Sequence, residues 1–151
     1  MGLISVPKSH ERTTAVAFDN MGDTGTATAF QAKTINLPSA PFVVPATLVV
    51  EYTQQRISGT GVAYAQVSLT NATFYATGTL FTAGTEFFLH RTAAVGTARS
   101  RRVTMALPNT LMASGFTHAD YIRVGMRGSG AEADTEWTIT GISAYLIYLP
   151  A

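Results

Sequence analysis

Apolar and polar positions alternate most cleanly over residues 121–127, with Ile122, Val124 and Met126 on one parity and Tyr121, Arg123 and Arg127 on the other. Successive side chains of an extended chain point to opposite sides, so a period of two marks a strand with one buried face. The segment 136–149 repeats this with a switch. Trp137 and Ile139 share one parity, whereas Ile142, Ala144, Leu146 and Tyr148 share the other. Gly141 stands where the parity changes, as a β-bulge with one extra residue requires. Beyond it, Tyr145, Ile147 and Leu149 make the second face apolar too. A strand apolar on both faces is covered on both, and here the second cover is expected to be another copy of the chain.

The earlier segments read in the same terms. Residues 13–18 form a first strand candidate, and Asp19-Asn20-Met21-Gly22-Asp23-Thr24-Gly25 is dense in turn formers. A strand over 26–35 is broken by Pro38 and Pro41. Residues 42–52 are strongly apolar, with Leu48, Val50 and Tyr52 on one face; Pro45 predicts that the first half lies at an edge or bulge. Ser58-Gly59-Thr60-Gly61 is a turn, and strands follow at 62–69, 73–81 and 85–92. Residues 93–100 read as a loop, 102–107 as a strand, 109–119 as a connection with room for one helical turn, and Gly128-Ser129-Gly130 as a turn. Turn signals roughly every ten residues imply an all-β chain of about nine strands. The proline-broken segment and the long 108–119 connection imply crossings between sheets. The predicted fold is therefore a two-sheet Greek-key or jelly-roll sandwich over 13–151, preceded by an arm over 1–12; a closed β-barrel is the alternative.

Composition changes this picture in one respect. Charged residues make up 13% of the 151, against about a quarter in ordinary domains. A surface so poor in charge implies hidden surface, hence an oligomer or a lattice-bound subunit. The net charge of +1 gives no polyanion signal, and no nucleic-acid partner is expected. Cysteine is absent, which excludes disulfides and thiolate metal sites. Leu3, Ile4 and Val6 are interrupted by Ser5 and Pro7, so they make no signal-peptide core, and no apolar run has bilayer-spanning length. A soluble chain made in a cytoplasm, with no membrane partner, is expected. The same three apolar residues form an arm tip expected to dock on a neighbouring subunit.

Candidate chemistry is sparse. Asp23-Thr24-Gly25 matches the aspartic-protease triplet, but it sits in a turn-like cluster and not at the end of an apolar strand. His10, His90 and His118 are scattered; His118-Ala119-Asp120 reads as a loop pair. Glu132, Asp134 and Glu136 lack the Gly and Asn partners of calcium loops and read as a solvated hairpin tip able to pair with arginines. Arg99, Arg101 and Arg102 are the basic cluster, read as a loop contacting an acidic protein neighbour through forked hydrogen bonds. Tyr52, Tyr64, Phe74, Tyr75, Phe87 and Phe88 read as core formers before a sugar-stacking platform. No catalytic, cofactor or metal residue is assigned, and the chain is not read as an enzyme.

Three runs carry a resemblance: Val103-Thr104-Met105-Ala106-Leu107-Pro108, Tyr121-Ile122-Arg123-Val124, and Ile139-Thr140-Gly141-Ile142-Ser143-Ala144-Tyr145-Leu146-Ile147-Tyr148. Together they resemble the closing strands of small jelly-roll proteins of tailed bacteriophages, found as head decoration (cement) proteins and as tail-fibre or receptor-binding domains. The resemblance implies a homo-oligomer, a trimer favoured, that is a structural subunit at the virion head surface and binds across subunits of the major capsid protein. A phage fibre module binding a receptor or carbohydrate is the alternative. On the decoration reading, Leu3, Ile4 and Val6 with Arg99, Arg101 and Arg102 contact the shell, and Tyr145, Ile147 and Leu149 form the self-association face.

Overall fold

The structure is a computed structural model and describes residues 8–70, 88–107 and 121–151. Ten strands fall among the described residues: β1 (Glu11–Arg12), β2 (Val16–Ala17), β3 (Met21–Thr24), β4 (Ala29–Asn36), β5 (Phe42–Ser58), β6 (Ala63–Thr70), β7 (Phe88–Ala94), β8 (Arg99–Ala106), β9 (Tyr121–Gly130) and β10 (Glu136–Pro150). The first three pair in turn with successive stretches of β10, so they act as one interrupted edge strand. One sheet then runs edge strand, β10, β5, β8, and the other β4, β9, β6, β7. Neighbours are antiparallel throughout. The chain changes sheet at every step except β6 to β7, which is the jelly-roll path and leaves two open sheets where a barrel would close.

The predicted bulge lies at Gly141. The β10–β5 register shifts between Thr140 and Ser143, and Gly141 takes φ +60°. Beside it the edge strand breaks between β2 and β3, and Asn20 Oδ1 accepts the Gly141 N–H at 3.2 Å. The other break is stitched by Thr13, whose N–H donates to the Leu146 carbonyl while its hydroxyl accepts the Leu146 N–H. Around Pro45 the register shifts again, from Ile147↔Thr47 to Leu149↔Val43. Among the described residues, β8 pairs β5 from Thr47 to Gln54 and the proline half of β5 has a strand partner on one side, as the proline favours.

Several sequence boundaries move. The cluster read as a turn over 19–25 contains β3, because Gly22 can lie flat against Trp137 and Thr138: a Cβ there would meet the Trp137 carbonyl at 3.0 Å. Gly128-Ser129-Gly130 continues β9, and the turn falls at 131–135, where the chain crosses from one sheet to the other and makes no hairpin. The arginines read as loop residues lie on strand β8, paired with β5 for eight residues. The boundary at residue 12 falls inside the edge strand, with Glu11 facing Tyr148 and Arg12 facing Ile147.

Core side chains come from both sheets at period two: Leu48 and Val50, Val103 and Met105, Ile122, Val124 and Met126, and Trp137 and Ile139 on either side of the interior. One edge of the interior is polar and closed by a network. Gln54, fully buried, donates to the Ala63 carbonyl at 3.1 Å and accepts from Thr92 Oγ1 at 2.7 Å and Arg101 Nε at 3.2 Å. The Tyr52 hydroxyl sits 2.5 Å from Thr92 Oγ1, and burial pushes its pKa up, partly offset by the Thr92 bond and Arg101. This clasp joins β5 and β8 to β6 and β7. Gln54→Leu is expected to cost about 1–3 kcal/mol, because buried partners are left unpaired. Urea unfolding would read that loss, and additivity of Gln54→Leu with Thr92→Val would argue against a shared network.

Candidate interaction surface

The outward face of the β10–β5–β8 sheet carries two buried residues that do not belong to the core cluster. Val49 and Tyr145 are direct cross-strand partners, 0% and 6% exposed, on the side of the sheet away from the interior. Their cover is charged and comes from the same chain. The Arg12 guanidinium lies 5.2 Å from the centre of the Tyr145 ring, within cation–π range. The Tyr145 hydroxyl lies 3.5 Å from Glu51 Oε1 and 3.4 Å from Arg102 Nη2. Arg102 and Glu51 form an ion pair at 3.5 Å with side chains 57% and 44% exposed. Exposed pairs of this kind contribute about 0–1 kcal/mol, so the lid is held weakly. Next to it lies a shallow depression of about 350 Å³, lined by Glu51, Thr53, Ser100, Arg102 and Gly141.

Ile147 and Leu149 continue this face toward the end of β10, partly covered, and Val43, the partner of Leu149, is 46% exposed. Of the three residues read as a self-association face, Tyr145 is therefore clothed by Arg12, Glu51 and Arg102. Ile147 and Leu149 remain beside Val43. Tyr148 points the other way, packs edge-on against Phe42 at 5.9 Å, and bonds Glu11 through its hydroxyl. That bond to a carboxylate raises the Tyr148 pKa.

The three arginines have three different environments. Arg101 is tied to Gln54 and to the Ala93 carbonyl at 2.7 Å and belongs to the clasp. Arg102 covers Tyr145. Arg99 is exposed and has no hydrogen bond or ion pair among the described residues. Leu3, Ile4 and Val6 lie outside the described residues, as do Phe74, Tyr75, Phe87, His118 and the strand and turn readings over 71–87.

At the end of the same sheet where β5 finishes and β10 begins, the charge is negative. Asp134, in the β9–β10 turn, accepts the Thr60 N–H at 3.1 Å and the Thr60 hydroxyl at 2.8 Å, which lowers its pKa. Glu136 accepts the Ser58 hydroxyl at 2.8 Å, and Asp23, exposed on β3, accepts its neighbour's N–H at 2.7 Å. Glu132 is exposed. No group of three or more metal-ligating side chains occurs among the described residues. Sequence reading missed the roles of Arg12, Glu51 and Gln54. The alternation of Glu51 with Val50 and Tyr52 was the available signal for an outward position, but nothing in it gives the partner.

No known protein family matches the chain, and no curated protein matches it. Among solved structures, it is similar to one reported as "CBM4 structure and function", a carbohydrate-binding module, at TM-score 0.43 and 8% identity, over 94% of this chain and 79% of that one. It is also similar to a structure from "Bacillus endospore appendages form a novel family of disulfide-linked pili" at TM-score 0.35 and 10% identity, over 100% and 97%. A third likeness is to infectious bursal disease virus Gx strain, at TM-score 0.39 and 13% identity, over 95% of this chain and 32% of that one. At these scores the likenesses bear on no functional reading of this chain.

Proposed function

We propose that the chain is a structural virion subunit: a head decoration (cement) protein that self-associates, as a trimer, and ties together subunits of the major capsid protein. The observation that supports it is the outward face of the closing strand. Ile147 and Leu149 stand beside Val43, on the far side of a sheet whose near side already packs the core. Apolar side chains there gain nothing from the monomer's interior, whereas a neighbouring copy would take them out of water. The sparse surface charge works in the same direction. The mechanism is mechanical: contacts of on the order of 800 Å² per partner, made at several shell subunits at once, add to a strong attachment.

Light scattering coupled to size exclusion tests the first step. The wild-type chain is expected to run as an oligomer and Ile147→Glu/Leu149→Glu as a monomer with unchanged far-UV circular dichroism. Empty heads assembled from the capsid protein of the same genome test the second, and bound wild-type chain is expected to raise their melting temperature. A wild type that stays monomeric at high concentration would remove the reading, and binding to immobilised glycans without binding to heads would replace it with a fibre module.

A further inference from the structure

We infer that the segment 1–7 of one copy lies on the Val43, Ile147 and Leu149 face of the next, with Ile4 and Val6 against it. The inference rests on the self-association proposed above and names its contact.

Strand β1 runs antiparallel to the last part of β10, Glu11 beside Tyr148 and Arg12 beside Ile147. Traced backward from Glu11, the chain therefore leads to the end of β10, where Lys8 Nζ donates to the Ala151 carbonyl and the Ala151 N–H donates to the Pro41 carbonyl at 3.1 Å. Residues 1–7, which lie outside the described residues, thus join the fold at the corner where the outward apolar face ends. Val6 precedes Pro7, and a residue before proline favours extended backbone. An extended chain spans about 3.4 Å per residue, so Leu3 can stand about 17 Å beyond Lys8. That direction leads away from the segment's own face and toward a neighbour's.

The segment and the face also match in charge. Met1-Gly2-Leu3-Ile4-Ser5-Val6-Pro7 carries no charged side chain. On the outward face, the cross-strand positions Leu149–Val43 and Ile147–Thr47–Ala106 carry none either. Arg12, beside Ile147, lays its guanidinium over Tyr145, and Glu51 and Arg102 gather there too, so the charge is confined to the next row. An uncharged segment over Leu149 and Ile147 leaves that ion pair in water and avoids the cost of burying it. Val43 is 46% exposed, so apolar surface is left to cover. Ile4 and Val6 are two apart and share one side of an extended chain, as Ile147 and Leu149 share one side of β10. When each copy gives its segment to one neighbour and receives one from another, the contact is heterologous and closes into a ring where the rotation allows. The segment then holds the oligomer together, and other surfaces meet the shell.

Ile4→Ser/Val6→Ser should weaken self-association about a hundredfold or more by sedimentation equilibrium, with unchanged far-UV circular dichroism, because two apolar side chains lose their burial. Cysteine is absent from the chain, so introduced thiols report the contact directly. Isotopically labelled Leu3→Cys chain is mixed with unlabelled Val43→Cys chain and treated with a short bismaleimide. Mass spectrometry should find position 3 of a labelled chain joined to position 43 of an unlabelled one. With both changes in one chain, the reagent should join chains to one another. Absence of a link between chains, or a link closed within one chain, overturns the inference. So does an Ile4→Ser/Val6→Ser chain that is as oligomeric as wild type, which leaves the proposed function standing; if that chain also fails to bind heads, the segment belongs to the shell contact. A monomeric wild type removes both.

Discussion

Trp137→Ala is expected to lower the unfolding free energy by about 3–5 kcal/mol, the range for removing a large buried aromatic. Trp137 is fully buried on β10 and spans the gap between the sheets to Gly128 on β9. A Cβ at Gly128 would lie 2.3 Å from Trp137 Cζ3, 2.6 Å from Cη2 and 2.7 Å from Ile139 Cδ1. The indole has the room it occupies because that position has no side chain. Gly128→Ala alone should therefore cost about 1–3 kcal/mol through overpacking. In a Trp137→Phe background the indole atoms it would strike are gone and the Ile139 methyl is the remaining close contact, so the same change should cost less. Urea unfolding of the four chains in this cycle measures the coupling, and equal costs of Gly128→Ala in both backgrounds would show that the ring does not set the constraint.

The pair also marks where sequence reading succeeded and where it stopped. Parity along a single strand is a local property, so the face of Ile122, Val124 and Met126, the switch at Gly141 and the disturbance at Pro45 could all be read from residues in sequence order. Gly128 could not. A glycine suggests a turn when only its neighbours are seen, and the reason for it is a tryptophan nine positions later on the facing sheet. Gly22 misled in the same way, since glycine, asparagine and aspartate over 19–25 signal a turn unless the strand they lie against is known. The outward face shows the matching limit for the candidate surface. Its apolar character was legible, but the cover on Tyr145 comes from Arg12 and Arg102, 133 and 43 positions away by subtraction of residue numbers. Long side chains lend cover at a distance that no periodicity records.

Gly59→Ala should have the next largest effect, about 2–5 kcal/mol, and its cause can be isolated. Gly59 takes φ +85°, and a Cβ built on it would lie 1.9 Å from the Asp134 carbonyl oxygen and 2.5 Å from its carbon. Both obstacles are backbone, so the 131–135 turn itself would have to move. Gly96 supplies the control: its φ is +68° but nothing lies within 4 Å of an added Cβ, so Gly96→Ala carries only the left-handed strain of about 1–2 kcal/mol. The excess in Gly59→Ala measures the close approach of the two turns, while matching losses in the two variants would mean the approach is slack. The displaced turn also carries Asp134 away from Thr60. Because the folded-state pKa of Asp134 is lowered by those bonds, their stabilisation is present above the ordinary carboxylate pKa and is lost as pH falls through the lowered value. Gly59→Ala should therefore lose less stability on acidification than Gly96→Ala does.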